Sequence, residues 1–119
     1  MLRWIFYLLI LLVAFLSLKP RIQGLDIQVN DKFGHGLAYF VLMVNGFLAF
    51  GKKKEVLLIL FLVLFGALME ILQGLTPNRE ASFLDLLANA IGICLGWLFV
   101  RIFEKWIVRL LQKLKIPTY

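Results

Sequence analysis

Four long apolar segments divide the chain, and most polar residues lie between or after them. The apolar segments cover about residues 4–18, 32–50, 56–75 and 83–103. Segments of this kind favour membrane-spanning helices, which need roughly 20 apolar residues, although the first one is a little short. Basic residues continue at every fourth position from Arg101 into the next segment, at about 104–115. Apolar residues occupy the opposite side of the helix that this spacing predicts. Such a segment is typical of an amphipathic helix on a membrane surface.

The pattern therefore predicts an all-α membrane protein with one domain over residues 1–119. We expect a four-helix transmembrane bundle with a C-terminal basic amphipathic helix. The composition agrees, since 62% of the 119 residues are hydrophobic and 17% are charged. Soluble domains have roughly 45–50% apolar and about 25% charged residues. A β-barrel would instead show many short segments of alternating hydrophobicity.

The formal net charge of +6 is better explained by membrane orientation than by nucleic acid, so no nucleic-acid partner is expected. Cytoplasmic loops carry an excess of Lys and Arg. Nine of the thirteen Lys and Arg residues fall on one side of the predicted bundle. That side holds Arg3, Lys52, Lys53, Lys54, Arg101, Lys105, Arg109, Lys113 and Lys115. We therefore predict a multi-pass protein of the cytoplasmic (inner) membrane with both termini in the cytoplasm.

Polar residues form one stripe on each of the last three predicted helices, at helical spacing. The stripes are Lys32, His35, Gly36 and Tyr39; then Gly66, Glu70, Gln73 and Gly74; then Asp85, Asn89, Gly92 and Gly96. With the predicted orientation, all three stripes lie in the outer half of the membrane. The outer loop that contains Arg79 lies just above them. The sequence therefore predicts one polar cluster that faces outward.

The residue types in this cluster suit recognition of an anion followed by proton transfer. Lys32 and Arg79 are candidate ligands for a phosphate or carboxylate. The remaining binding candidates are Tyr39, Gln73 and Asn89. His35, Glu70 and Asp85 are the candidate catalytic acid–base residues. With one histidine and one cysteine in the chain, no metal site and no cofactor are expected.

Two stretches, DKFGHGLAYF (31–40) and MEILQGLTPNREASFLDLLANAIGICLG (69–96), carry a resemblance to a known family. Their ordered set of ten residues resembles the pattern of the VanZ-like family of small membrane proteins. The matching residues are Lys32, His35, Tyr39, Glu70, Gln73, Arg79, Asp85, Asn89, Gly92 and Gly96. The resemblance implies a four-span bundle of the bacterial cell envelope. Some members of this family are associated with resistance to glycopeptide antibiotics such as teicoplanin.

The leading hypothesis is that the cluster binds an anionic lipid-linked ligand or envelope precursor, with membrane lipids as the expected partners. Whether the protein is also an enzyme stays open. One alternative is a purely structural network, in which Asp85 pairs with Arg79 and Glu70 pairs with His35 or Lys32. Others are a small transporter, against which the one-sided charge argues, and an accessory subunit of a larger envelope enzyme that docks through the basic tail.

Overall fold

The computed structural model describes residues 1–18, 28–75 and 83–118, with the backbone alone for 28–32. This part of the chain contains four α-helices and no strand. The helices are α1 (Leu2–Leu18), α2 (Gln28–Phe50), α3 (Glu55–Gln73) and α4 (Phe83–Lys113). The predicted segments 32–50 and 56–75 thus correspond closely to α2 and α3.

A tight turn joins α2 to α3 and reverses the chain direction. Gly51 ends α2 with a φ of 93°, a conformation that residues with a Cβ rarely adopt. A 3₁₀ turn at Lys52–Lys54 follows, and the Lys54 N–H donates to the Gly51 carbonyl at 3.2 Å. Glu55 then opens α3, where a carboxylate favours the positive end of the helix dipole. The three lysines are therefore fixed at one end of the bundle.

Two long-range contacts establish the direction of α1. The Arg3 Nε donates to the Ala49 carbonyl at 3.3 Å, so α1 begins beside the end of α2. The Gln73 Nε2 donates to the Ser17 carbonyl at 2.8 Å, so α1 ends beside the end of α3. Because α3 runs opposite to α2, α1 and α3 run in one direction. The N-terminus and the 3₁₀ turn consequently lie at the same end.

The pair α2 and α4 makes the most extensive helix contact in the described structure, and the two helices run parallel. Glycines allow the close approach. A Cβ on Gly92 would overlap the carbonyl group of Gly36. One turn further along, a Cβ on Gly96 would lie 2.8 Å from the Phe40 carbonyl oxygen and 2.9 Å from the Met43 Cβ. The two backbones thus approach as closely as small residues permit in membrane helix pairs.

The apolar surface is distributed as expected for a protein in lipid. Large hydrophobic side chains are exposed on every helix, and Trp4, Phe33 and Phe83 are more than two-thirds exposed. A soluble monomer rarely exposes so much apolar surface. Three described helices are long and apolar enough to cross a membrane, within Phe33–Phe50, Lys52–Gln73 and Phe83–Lys113. The helix α1 is also apolar but has only 17 residues.

The C-terminal tail is a direct continuation of α4, which runs without interruption for 31 residues. At 1.5 Å per residue α4 is about 46 Å long, against about 30 Å for a bilayer core. The helix ends in a Schellman motif, in which the Ile116 N–H donates to the Leu111 carbonyl and the Lys115 N–H donates to the Gln112 carbonyl. Lys115 has the positive φ, 58°, that this motif requires. The predicted boundary at residue 103 has no counterpart in the described backbone.

The α2–α4 contact generates a first prediction about stability. Gly92→Ala should lower the free energy of unfolding by about 1–3 kcal/mol, the usual cost of forcing a methyl group into a packed interface. The matched control is Gly34→Ala in α2, since a Cβ on this glycine would meet no atom within 4 Å. The apparent melting temperature of the purified protein in detergent measures both changes. Equal melting temperatures for the two variants would contradict the close approach at Gly92.

Candidate functional site

The polar stripes of α2, α3 and α4 meet at Gly66. A Cβ built on Gly66 would lie 3.2 Å from the Asn89 Nδ2 and 3.5 Å from the Tyr39 hydroxyl. These two side chains are 3% and 0% exposed. The glycine in α3 therefore makes room for one side chain from α2 and one from α4. The sequence-based prediction that these three helices share one cluster agrees with this contact.

Two carboxylates are buried beside this contact. Glu70 lies one helical turn beyond Gly66 and is 6% exposed, and it interacts electrostatically with Tyr39. Asp85 lies one turn before Asn89 and is 4% exposed. A charged group in the hydrocarbon region is costly and usually faces the bundle interior toward polar partners. Both carboxylates face the interior here, and each has an interaction partner.

His35 lies one turn before Tyr39 on α2 and is half-buried. It too has an interaction partner among the residues of the chain. The helix spacing places the imidazole on the same face as Tyr39, toward the end of the bundle where α2 begins. The three candidate acid–base residues therefore come from three different helices at this end.

Two buried polar atoms at the centre of the site make no hydrogen bond with any described residue. They are the Tyr39 hydroxyl and the Asn89 Oδ1. Buried polar groups are nearly always hydrogen-bonded, and an exception needs an explanation. The Asn45 Oδ1 shares this property, but it lies more than one turn farther along α2, outside the cluster. Tyr39 and Asn89 thus offer a donor and an acceptor that the described part of the chain does not use.

Gln73 has a definite structural contact. It is 1% exposed, and its Nε2 donates to the Ser17 carbonyl at 2.8 Å. Ser17 belongs to the last turn of α1, where backbone carbonyls lack partners within the helix. The first helix therefore joins the cluster through Ser17, which sequence reasoning missed. A polar residue near the end of an otherwise apolar segment was the available signal.

The two candidate anion-binding cations are not part of the described site. Arg79 lies outside the described residues, and so does the side chain of Lys32, although its backbone belongs to α2. Their roles therefore stay predictions. Among the described side chains, no group of three His, Cys, Asp or Glu residues could hold a metal ion.

The fold and the site together define a class of protein. It is a helical membrane protein in which three helices enclose buried carboxylates, amides and a tyrosine, with a half-buried histidine beside them. The chain belongs to the VanZ/LLP1 family, whose model matches residues 4–104. The match includes all ten residues that carried the resemblance. No curated protein matches the chain, and no solved structure matches it.

The contact between Gln73 and Ser17 generates the second prediction. Gln73→Leu removes the donor and leaves a buried carbonyl without a partner, which costs about 1–3 kcal/mol. The matched control is Gln112→Leu, since Gln112 is exposed in the last turns of α4. Thermal unfolding in detergent should show a lower melting temperature for the first variant alone. A melting temperature equal to that of the control would contradict a stabilising role for this bond.

Proposed function

We propose that the polar cluster binds an anionic lipid-linked ligand or envelope precursor in the outer leaflet of the cytoplasmic membrane. The observation that carries the proposal is the pair of unpaired buried atoms, the Tyr39 hydroxyl and the Asn89 Oδ1. Each unpaired buried group costs about 1–3 kcal/mol. Neither group is needed to fill space, because a phenyl ring or an apolar side chain would pack as well. A ligand headgroup that hydrogen-bonds both atoms would explain why they are there.

In this proposal Lys32 and Arg79 bind the phosphate or carboxylate of the ligand. Arginine offers a planar fork of donors, and lysine offers a compact charge. Tyr39, Asn89 and Gln73 orient the polar part of the headgroup. The buried carboxylates make such cations useful, because an anionic ligand would otherwise be repelled by Glu70 and Asp85.

A chemical step is the second part of the proposal. His35 would exchange a proton with the ligand, with Glu70 or Asp85 as its acid–base partner. Histidine is the side chain most often used as a general acid or base, which suits this role. Binding does not depend on this step, so the protein can be a binder without being a catalyst.

The arrangement of the helices supports the proposed location. The N-terminus, Lys52–Lys54 and the end of α4 lie at one end of the bundle, and the polar cluster lies toward the other. The positive-inside rule assigns the lysine-rich end to the cytoplasm. With this orientation the cluster faces the outer leaflet. At the level of the family, this fits an association with resistance to glycopeptide antibiotics such as teicoplanin.

The second candidate is a purely structural cluster, and the bond from Gln73 to Ser17 favours it. This bond shows that at least one polar residue of the cluster joins helices. In that case the remaining polar residues would stabilise the bundle and bind nothing. The two candidates predict different outcomes for Tyr39, whose hydroxyl contributes no hydrogen bond to the described fold.

Tyr39→Phe is the discriminating variant. It should leave the melting temperature unchanged or raise it, because the hydroxyl it removes has no partner in the described structure. It should weaken binding of a polyprenyl phosphate about tenfold or more, the value of a hydrogen bond to a charged group. Native mass spectrometry of the purified protein with a polyprenyl phosphate, and with the matching polyprenol, measures this effect.

The control is Trp106→Phe, an aromatic change at an exposed position far along α4, which should bind the polyprenyl phosphate as the unmodified protein does. Unchanged binding in Tyr39→Phe would show that the ligand does not use the Tyr39 hydroxyl, and no retention of the polyprenyl phosphate by the unmodified protein would favour the structural candidate. Equal binding of the phosphate and the polyprenol would show that the ligand is not recognised as an anion.

Charge-neutralising changes test the ionic part of the proposal. Arg79→Gln should abolish retention of the polyprenyl phosphate, whereas Glu70→Gln removes the proposed acid–base partner and should leave retention in place. Both variants should still elute as folded species in size-exclusion chromatography. In cells that depend on the protein for teicoplanin tolerance, both variants should restore susceptibility. Loss of expression together with loss of function would instead indicate that these residues hold the bundle together.

A further inference from the structure

A groove opens between α1 and α3 at the lysine-rich end of the bundle, opposite the polar cluster. Its volume is about 400 Å³, within the range of small-molecule sites. Lys54 lies along it, and its other lining residues are apolar or aromatic. These are Phe6, Tyr7, Phe50, Leu57, Leu58 and Phe61.

The groove has a buried floor and accessible walls. Phe6 and Leu58 are 4% and 6% exposed, whereas Leu57 is 67% exposed. The Phe6 ring meets the Phe50 ring edge to face, with centroids 5.4 Å apart. This geometry is favourable for aromatic pairs and holds the floor in place. The groove is therefore a packed apolar surface that is accessible from the side of the bundle.

Positive charge surrounds one end of the groove. Lys52, Lys53 and Lys54 are all exposed in the 3₁₀ turn. The guanidinium of Arg3 lies 5.2 Å from the centroid of the Phe50 ring. Phe50 is one of the residues that line the groove. The side chains that line the groove include no carboxylate.

The nearest acidic residue in the sequence is turned toward another helix. Glu55 follows Lys54 directly, and its Oε2 accepts a hydrogen bond from the Trp97 Nε1 at 3.1 Å. Trp97 belongs to α4, which does not line the groove. The Glu55 carboxylate is thus hydrogen-bonded to α4, and the Lys54 ammonium can bind an anion at the groove.

We propose that this groove binds an acyl chain of an anionic glycerophospholipid, with the lipid phosphate at Lys54. An acyl chain packs more closely in a preformed apolar groove than among other lipid chains. The lysines favour a headgroup that carries a negative charge. Basic pockets between membrane helices bind anionic headgroups in this way. With the predicted orientation, the lipid belongs to the inner leaflet. The site is separate from the polar cluster and does not depend on its proposed function.

The experiment compares phosphatidylglycerol with phosphatidylcholine of identical acyl chains. Native mass spectrometry of the full chain in detergent should show tighter binding of phosphatidylglycerol. Lys54→Gln should weaken phosphatidylglycerol binding about fivefold, the effect expected for one lysine near an anionic headgroup. The matched control Lys52→Gln, in the same turn but not lining the groove, should have a smaller effect. Equal effects of the two variants would overturn the proposal in favour of a diffuse surface charge.

A second pair of variants tests the groove itself. Leu57→Trp should fill the groove and reduce phosphatidylglycerol binding, whereas Leu60→Trp changes a similarly exposed position of α3 outside the groove. Unchanged binding in Leu57→Trp, or equal binding of the two lipids by the unmodified protein, would overturn the proposal. The two proposals are tested with different lipids and different variants, Tyr39→Phe with the polyprenyl phosphate and Lys54→Gln with phosphatidylglycerol, so the failure of either proposal can be recognised separately.

Discussion

The close backbone contact between α2 and α4 is the constraint on which the rest of the structure depends. At Gly92 there is no space for a Cβ against Gly36, and at Gly96 there is almost none against Phe40. In lipid, helices gain little from hydrophobic burial against one another, so close packing of small residues carries much of their association. Once these two parallel helices are in contact, the relative heights of their polar side chains are fixed.

This register explains why the polar cluster can exist in an apolar bundle. Tyr39 lies just beyond Gly36 on α2, and Asn89 lies just before Gly92 on α4, so both side chains meet on the α3 side of the pair. Gly66 of α3 leaves the space they occupy. The buried carboxylate of Glu70, one turn along α3, then has polar neighbours instead of lipid, which is the condition for keeping such a group in a membrane.

Hydropathy and helical periodicity predicted the helices α2 and α3 and the convergence of the polar stripes, because apolar length and the 3.6-residue repeat are local properties. They placed a boundary at residue 103 where the hydropathy falls, although no proline or glycine interrupts residues 97–116 and α4 continues through that boundary. They also missed Ser17, because a single polar residue forms no stripe and its partner is 56 positions away. The apolar groove depends on ring packing between Phe6 of α1 and Phe50 of α2, which periodicity does not specify.

The same packing has a consequence for access to the cluster. Tyr39 and Asn89 are almost completely buried, so a headgroup that reaches them must displace part of the bundle. The α2–α4 contact is the least able to open, because its two backbones touch. The helix α3 contacts α2 and α4 much less extensively than they contact each other, and at Gly66 it presents no side chain to them. Movement of α3 near Gly66 is therefore the least costly route for the proposed ligand, and the bond from Gln73 to Ser17 would move with it or break.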